Sequence, residues 1–251
     1  MYSPRHWVSL ICFCALVNSP TWAGETLRIC AENDWKPYSF AKQGQAAGAS
    51  VELISAALNQ QRMAFTIDSG SYNRCLKLTQ AGHYDAVLNV AKTSERQNQF
   101  VWPQLPYLHV KLHLLAHSKL AKTSAEYGVL AGKRIGTTAG YEYPEKMFLQ
   151  KDIKLIESHS ELASLRRLAA GNIDFILISQ STYQAQQKLL NNAEHAGISD
   201  WGLIDNLALY MAFSPKLPDA GRWTRALDAG LAELQKRGED KAIFNRWHAL
   251  Y

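Results

Sequence analysis

The sequence predicts an α/β protein of two lobes enclosing a cleft, and three observations carry that prediction. Short apolar runs with strand character alternate with helical stretches, and the alternation runs through two successive units of about 90 residues each. Long extended segments lead from the first unit to the second and back. Between the units there is no Pro/Ser-rich or low-complexity tether, so they are expected to dock through a hinge.

The elements follow in order. "TLRICA" reads as a buried strand and "SVELISAALNQQ" as a helix with Val51, Leu53, Ile54 and Leu58 on one side. "AFTID", "SYNRCLKLTQAG" and "YDAVLNV" then give strand, helix and strand. After Pro106 the run "PYLHVKLHLLAHS" is extended, and a second unit of the same build begins. Its parts are "KRIGTTAG" (strand), "EYPEKMFLQ" (helix), "IKLIES" (strand), "SELASLRRLAAG" (helix) and "DFILIS" (strand). "LALYMAFS" is a further extended segment, and the chain closes on two helical stretches, "GRWTRALDAGLAELQKRG" and "DKAIFNRWHALY". The expected division is lobe 1 over 24–112 and 208–251 and lobe 2 over 113–207.

Residues 1–23 read as a cleaved signal peptide. Arg5 lies ahead of an apolar run from Trp7 to Val17, and Thr21 and Ala23 stand where a signal peptidase needs small residues. The run is short against the roughly 20 residues a spanning helix needs. A periplasmic location follows. Past the leader two cysteines remain, Cys30 and Cys75. In an oxidising compartment they can form one disulfide, and as small buried residues they can equally be two free thiols.

The formal net charge is +5, without a basic block, so nothing points to nucleic acid. There is no Walker loop, GxSxG elbow or HExxH. His109, His113 and His117 share one face of an extended segment but fall about 13 Å apart, too far to hold one ion. No cofactor is expected.

In open α/β sheets ligands sit beyond the carboxyl ends of the strands. Here those ends are "AENDW", "SGSYNR", "NVAKTSER", "TAGYEY" and "ISQSTY". The succession "LRICAENDWKPYSF", "GASVELISAALNQ", "AGHYDAVLNVAKTSERQNQFVWPQLPY", "LAGKRIGTTAG", "LAAGNIDFILI" and "LAELQKRGEDKAIFNRW" resembles the family 3 extracellular solute-binding proteins, periplasmic receptors of polar amino acid importers. The resemblance covers essentially the whole chain past residue 23. It implies the type II periplasmic-binding-protein fold, two α/β lobes on a two-strand hinge, and a monomer that closes on a small solute and presents it to a membrane permease or a membrane sensor.

It also implies a site. Arg96, in the Thr-x-x-Arg segment, would fork onto a ligand carboxylate, and a guanidinium supplies two parallel donors for that purpose. A helix N-terminus beside it would add to the attraction. Asn89 and Val90 would lie against the ligand. Glu32 would accept from an ammonium and Trp35 would form an aromatic wall. Tyr72 and Arg74 share the same rim, where a second arginine would favour a multiply anionic ligand and an exposed one would be a surface charge.

Two positions depart from the family pattern. Ser179 stands where an aspartate usually binds the ligand's amino group, and "AGYEY" puts Tyr141 and Glu142 where a carboxylate-binding threonine segment is usual. A plain amino acid would then need Glu32 or Glu142 as its cation partner; otherwise the ligand is an organic acid, a modified amino acid or a small peptide. The expectation is binding without chemistry. The same fold also hosts cyclohexadienyl dehydratases, for which Glu32, Glu142 and Arg96 would be the cleft groups.

Overall fold

The computed structural model describes residues 25–250, so the leader expected over 1–23 lies outside the described residues. Among them no helix is long and apolar enough to cross a membrane.

Strands β1 (Leu27–Glu32), β5 (Phe65–Gly70) and β6 (Ala86–Ala91) form the parallel part of the first lobe. Helix α1 (Ala49–Gln60) separates β1 from β5, and α2 (Tyr72–Gln80) separates β5 from β6. A three-stranded antiparallel sheet of β2 (Asp34–Trp35), β3 (Ser39–Lys42) and β4 (Gln45–Ala47) follows β1. It was missed by the sequence reading because its strands are too short to show a period. The second lobe carries β8 (Arg134–Thr138), α3 (Glu145–Phe148), β9 (Lys154–Ser158), α4 (Glu161–Ala169) and β10 (Phe175–Ser179). The short helices α5 (Gln180–Gln186) and α6 (Asn192–Ala196) follow. The stretch expected as a helix over "EYPEKMFLQ" winds only into the four residues of α3, which start directly after Pro144 at the N-cap.

Two long strands join the halves: β7 (Leu108–His117) and β11 (Ile198–Phe213). All eight main strands lie in one sheet, ordered β5-β1-β6-β11-β7-β10-β8-β9. Strand β11 is antiparallel to β7 along its length and adds to β6 at its end, while β7 adds to β10. The pairing is broken by two bulges, between Asp200 and Gly202 and between Leu203 and Asp205. The sequence reading saw only the last part of β11, because polar residues and Gly202 interrupt its earlier half.

Helices α7 (Ala220–Arg237) and α8 (Glu239–Arg246) pack on α1, closing a core that includes Leu53, Ile54, Leu58, Trp223, Leu227 and Phe244. Burial of such side chains stabilises by about 1.5–3 kcal/mol each. Gly230 sets the closeness of α7 to α1: a Cβ there would come within 2.2 Å of the Ala57 carbonyl oxygen. A second core, around Leu114, Ile135, Met147, Phe175 and Trp201, belongs to the other lobe.

Cys30 on β1 and Cys75 on α2 are bonded, with Cα atoms 5.3 Å apart, so the bridge clips the helix to its strand.

Candidate ligand-binding site

The strands of each lobe end on a common cleft. β1 ends at Glu32, β6 at Asn89 and its neighbours, β8 just before the Tyr141–Tyr143 segment, and β10 at Ser179. Between them lies a cavity of about 50 Å³, walled by Trp35, Tyr72, Tyr141 and Tyr143 and carrying Glu32, Glu142 and Glu161. Two larger recesses share its walls. One, of about 240 Å³, runs past Asp34, Ser71 and His159, and the other, of about 190 Å³, runs past Thr93 and Arg96.

Arg96 reaches from the first lobe to the second. Its Nη1 is 2.9 Å from Glu142 Oε1, and its Nη2 donates to the Gly140 carbonyl at 3.0 Å. The Tyr72 hydroxyl is directed at both oxygens of the same carboxylate, 2.8 Å from each. Arg96 and Tyr72 thus form a carboxylate receptor, and the carboxylate it holds is the protein's own. Glycine suits position 140 because its φ of +79° is one that other residues adopt only with strain. The helix N-terminus expected beside Arg96 is absent, because residues 93–99 fold as consecutive turns held by the Thr93 carbonyl and hydroxyl.

Glu32 is 6% exposed and accepts from the Tyr141 hydroxyl. Burial raises its pKa from 4.5 to about 8, against the lowering effect of that hydrogen bond. Burial likewise raises Glu142 to about 7, with Arg96 and Tyr72 pulling the other way. The hydroxyls of Tyr72 and Tyr141 are pushed well above the ordinary phenol value, first by burial and then by the neighbouring carboxylates. Both therefore stay protonated as donors, and their rings meet edge to face with centroids 5.5 Å apart.

Asn89 sits in the left-handed region at φ +64°, a conformation asparagine tolerates. Its Oδ1 accepts from Tyr107 at 2.6 Å, while its buried Nδ2 has no partner. Trp35 stacks on Tyr38 with ring centroids 4.4 Å apart and lines the cavity. Ser179 donates to the Tyr38 hydroxyl at 3.2 Å and caps α5, so its oxygen is largely spent inside the fold.

Two expected residues stand elsewhere. Val90 is packed in the core with Cys75, Leu76 and Phe100, because it faces the side of β6 opposite the cleft. Arg74 is exposed on α2 and lines none of the three spaces.

One acidic residue of the cavity was missed. Glu161 opens α4, whose N-cap Ser160 accepts from Ala163 N–H, and is only 8% exposed. Its pKa is raised by burial and then by Glu32 and Asp34, and its Oε2 has no hydrogen-bond partner. The cue was available: "SHSEL" follows a strand end of the second unit, a rim the sequence reading left out. Tyr143 was missed as well; its hydroxyl accepts from Thr138 N–H at 2.8 Å, fixing the ring against the cavity. Among the described residues no His, Cys, Asp and Glu cluster is arranged to hold a metal.

Several solved structures share this architecture. A histidine kinase sensor domain similar to periplasmic binding proteins matches at 22% identity and TM-score 0.74, over 88% of this chain and 95% of that one. An ancestral arginine-binding protein bound to arginine matches at 19% identity and TM-score 0.71, over 88% and 97%. An amino acid ABC transporter substrate-binding protein from Streptococcus pneumoniae bound to L-arginine matches at 20% identity and TM-score 0.70, over 88% and 93%. At these identities the likeness is one of fold. No curated protein matches the chain. The model of the bacterial extracellular solute-binding proteins, family 3, matches residues 27–249, which is nearly all of the described structure, and the chain belongs to that family.

Proposed function

We propose that the chain is a periplasmic receptor that closes its two lobes on a small amino acid or related solute, one that carries a carboxylate and at least one cationic nitrogen, and delivers it to an ABC importer. The lobes are those of the division 24–112 with 208–251 and 113–207. The observation that carries this reading is the make-up of the cleft: one arginine, Arg96, against three buried carboxyl groups, Glu32, Glu142 and Glu161, that a cationic solute would draw into their ionised form. Arg96 and Tyr72 suit the carboxylate end, and the surplus of acids suits a cation. The arginine ligands of two of the matched structures fit the same description. Closure is the mechanism, because a solute bonded to both lobes favours the closed state by its differential affinity for it.

The sensor domain among the matched structures favours a second reading, in which the closed receptor signals to a membrane kinase. Both readings share the ligand step. A thermal-shift screen of amino acids, organic acids and amines tests that step, since a ligand at about 100 times its Kd stabilises by about 2.7 kcal/mol. Basic amino acids should give the largest shifts. Stabilisation confined to amine-free acids, or by nothing in the screen, overturns the reading. Prephenate belongs in the screen, and its conversion to an aromatic product would replace the binding function by catalysis.

A further inference from the structure

We infer that Glu161 of the second lobe and Glu32 of the first form a cation subsite across the cleft, in which an ammonium or guanidinium group of the solute bridges the two carboxylates. The inference rests on the proposed function, and it assigns the cation end of the solute to a residue that is not among those the sequence and the family resemblance singled out.

Four observations support it. Glu161 and Glu32 line the same two spaces, the central cavity and the larger recess beside it. Glu161 Oε2 is a buried acceptor with no partner, and a donor from a solute in the cavity it lines would satisfy it. The third carboxyl of the cavity, Glu142, is already matched by Arg96 and Tyr72, so it has no deficit for a solute cation to fill. Finally, the walls at this point are the rings of Tyr141 and Tyr143, which favour a cation near their faces, and Ser179 close by carries no charge.

The arrangement explains how a chain with a serine at the end of β10 can still recognise an amine. The acid comes from the first turn of α4, just beyond the end of β9, two places from β10 in the sheet. It also couples recognition to closure. With the cation absent, burial favours the protonated, uncharged form of both carboxyls, and the pair adds no attraction between the lobes. With the cation present, the same pair draws the lobes together.

The experiment uses the full chain and its Glu161→Gln variant, which keeps the shape and removes the charge. The probes are L-lysine, 1,5-diaminopentane (the same cation without the carboxylate) and hexanoate (the carboxylate without any cation), with binding followed by calorimetry. L-lysine and 1,5-diaminopentane should bind the parent and weaken at least tenfold in Glu161→Gln, with Glu32→Gln behaving alike. Without any probe, Glu161→Gln should melt higher than the parent, since an unpaired buried acid has been removed. Equal amine affinity in parent and variant overturns the subsite while leaving the proposed function standing. A lower melting temperature for Glu161→Gln also overturns it, because Glu161 is then a structural residue. If neither amine binds the parent, the subsite fails, while the proposed function is decided by the wider screen.

Discussion

Arg96 and Glu142 meet across the cleft, Nη1 to Oε1 at 2.9 Å, and the arginine's other terminal nitrogen is taken by the Gly140 carbonyl. A solute carboxylate that uses Arg96 must therefore displace a carboxylate that belongs to the receptor. Glu142 is an internal competitor for the site and, at the same time, a tie between the lobes.

Removing the tie should loosen the unliganded receptor. Glu142→Ala is expected to increase the radius of gyration measured by small-angle scattering in the absence of ligand and to strengthen binding of a carboxylate-bearing ligand by up to about tenfold, about 1.4 kcal/mol. Scattering curves that superpose for parent and variant would count against Glu142 as a tie.

Removing the receptor has the opposite consequence. Arg96→Ala leaves the Glu142 carboxyl buried without its cation, a change that costs about 3–5 kcal/mol for a buried pair, less whatever protonation of Glu142 recovers. Both the melting temperature and the affinity for carboxylate-bearing ligands should fall. Arg96→Lys should restore only part of the affinity, because an ammonium keeps the charge without the planar fork. Calorimetry showing full affinity in Arg96→Ala would reduce Arg96 to a lobe contact.

Stability should fall as pH rises through neutrality. Glu32 and Glu142 are held by burial at about 8 and about 7, above the ordinary 4.5. A raised carboxyl keeps its proton more tightly in the folded chain than in the unfolded one. Its contribution is complete below about pH 4.5 and is lost as pH climbs through the folded value. The unliganded protein should melt progressively lower between pH 5 and pH 8, with a total loss on the order of a few kcal/mol. Glu32→Gln should flatten the upper part of that fall. A melting temperature that rises over the same range contradicts the burial of both acids.

Cutting the Cys30–Cys75 bridge by Cys75→Ser should lower stability by about 2–4 kcal/mol, given the 45 residues it spans. Denaturant unfolding of the variant against the parent measures it, and mass spectrometry of unreduced protein should find no free thiol. Two titratable thiols on unfolding would disprove the bridge.

The two-lobed α/β architecture was legible because buried strands and amphipathic helices write their periods directly into the sequence, as "AVLNVA" and "SVELISAAL" do. The rim residues Glu32, Trp35, Tyr72, Asn89, Tyr141 and Glu142 were legible too, since strand ends mark where side chains can converge. What the sequence could not show was which partner each would find. That Arg96 closes on Glu142 depends on two loops about 45 residues apart meeting across a cleft, and no local pattern encodes it. Glu161 was hidden for a related reason: a glutamate in the first turn of a helix is ordinary, and only tertiary packing makes it a buried one. Val90 was misleading, since one step along a strand turns a side chain from the cleft into the core.

The two bulges in β11 give the hinge unequal lengths. Residues 198 to 209 of β11 lie opposite residues 117 to 108 of β7, and the surplus residues are Trp201 and Ile204. Trp201 is pinned in the second lobe against Phe175, with ring centroids 5.0 Å apart. Ile204 touches the cores of both lobes. The crossing thus pairs a strand with one that carries two more residues, and at the second of these, Ile204, the interiors of the two lobes meet, as they also do at Tyr141.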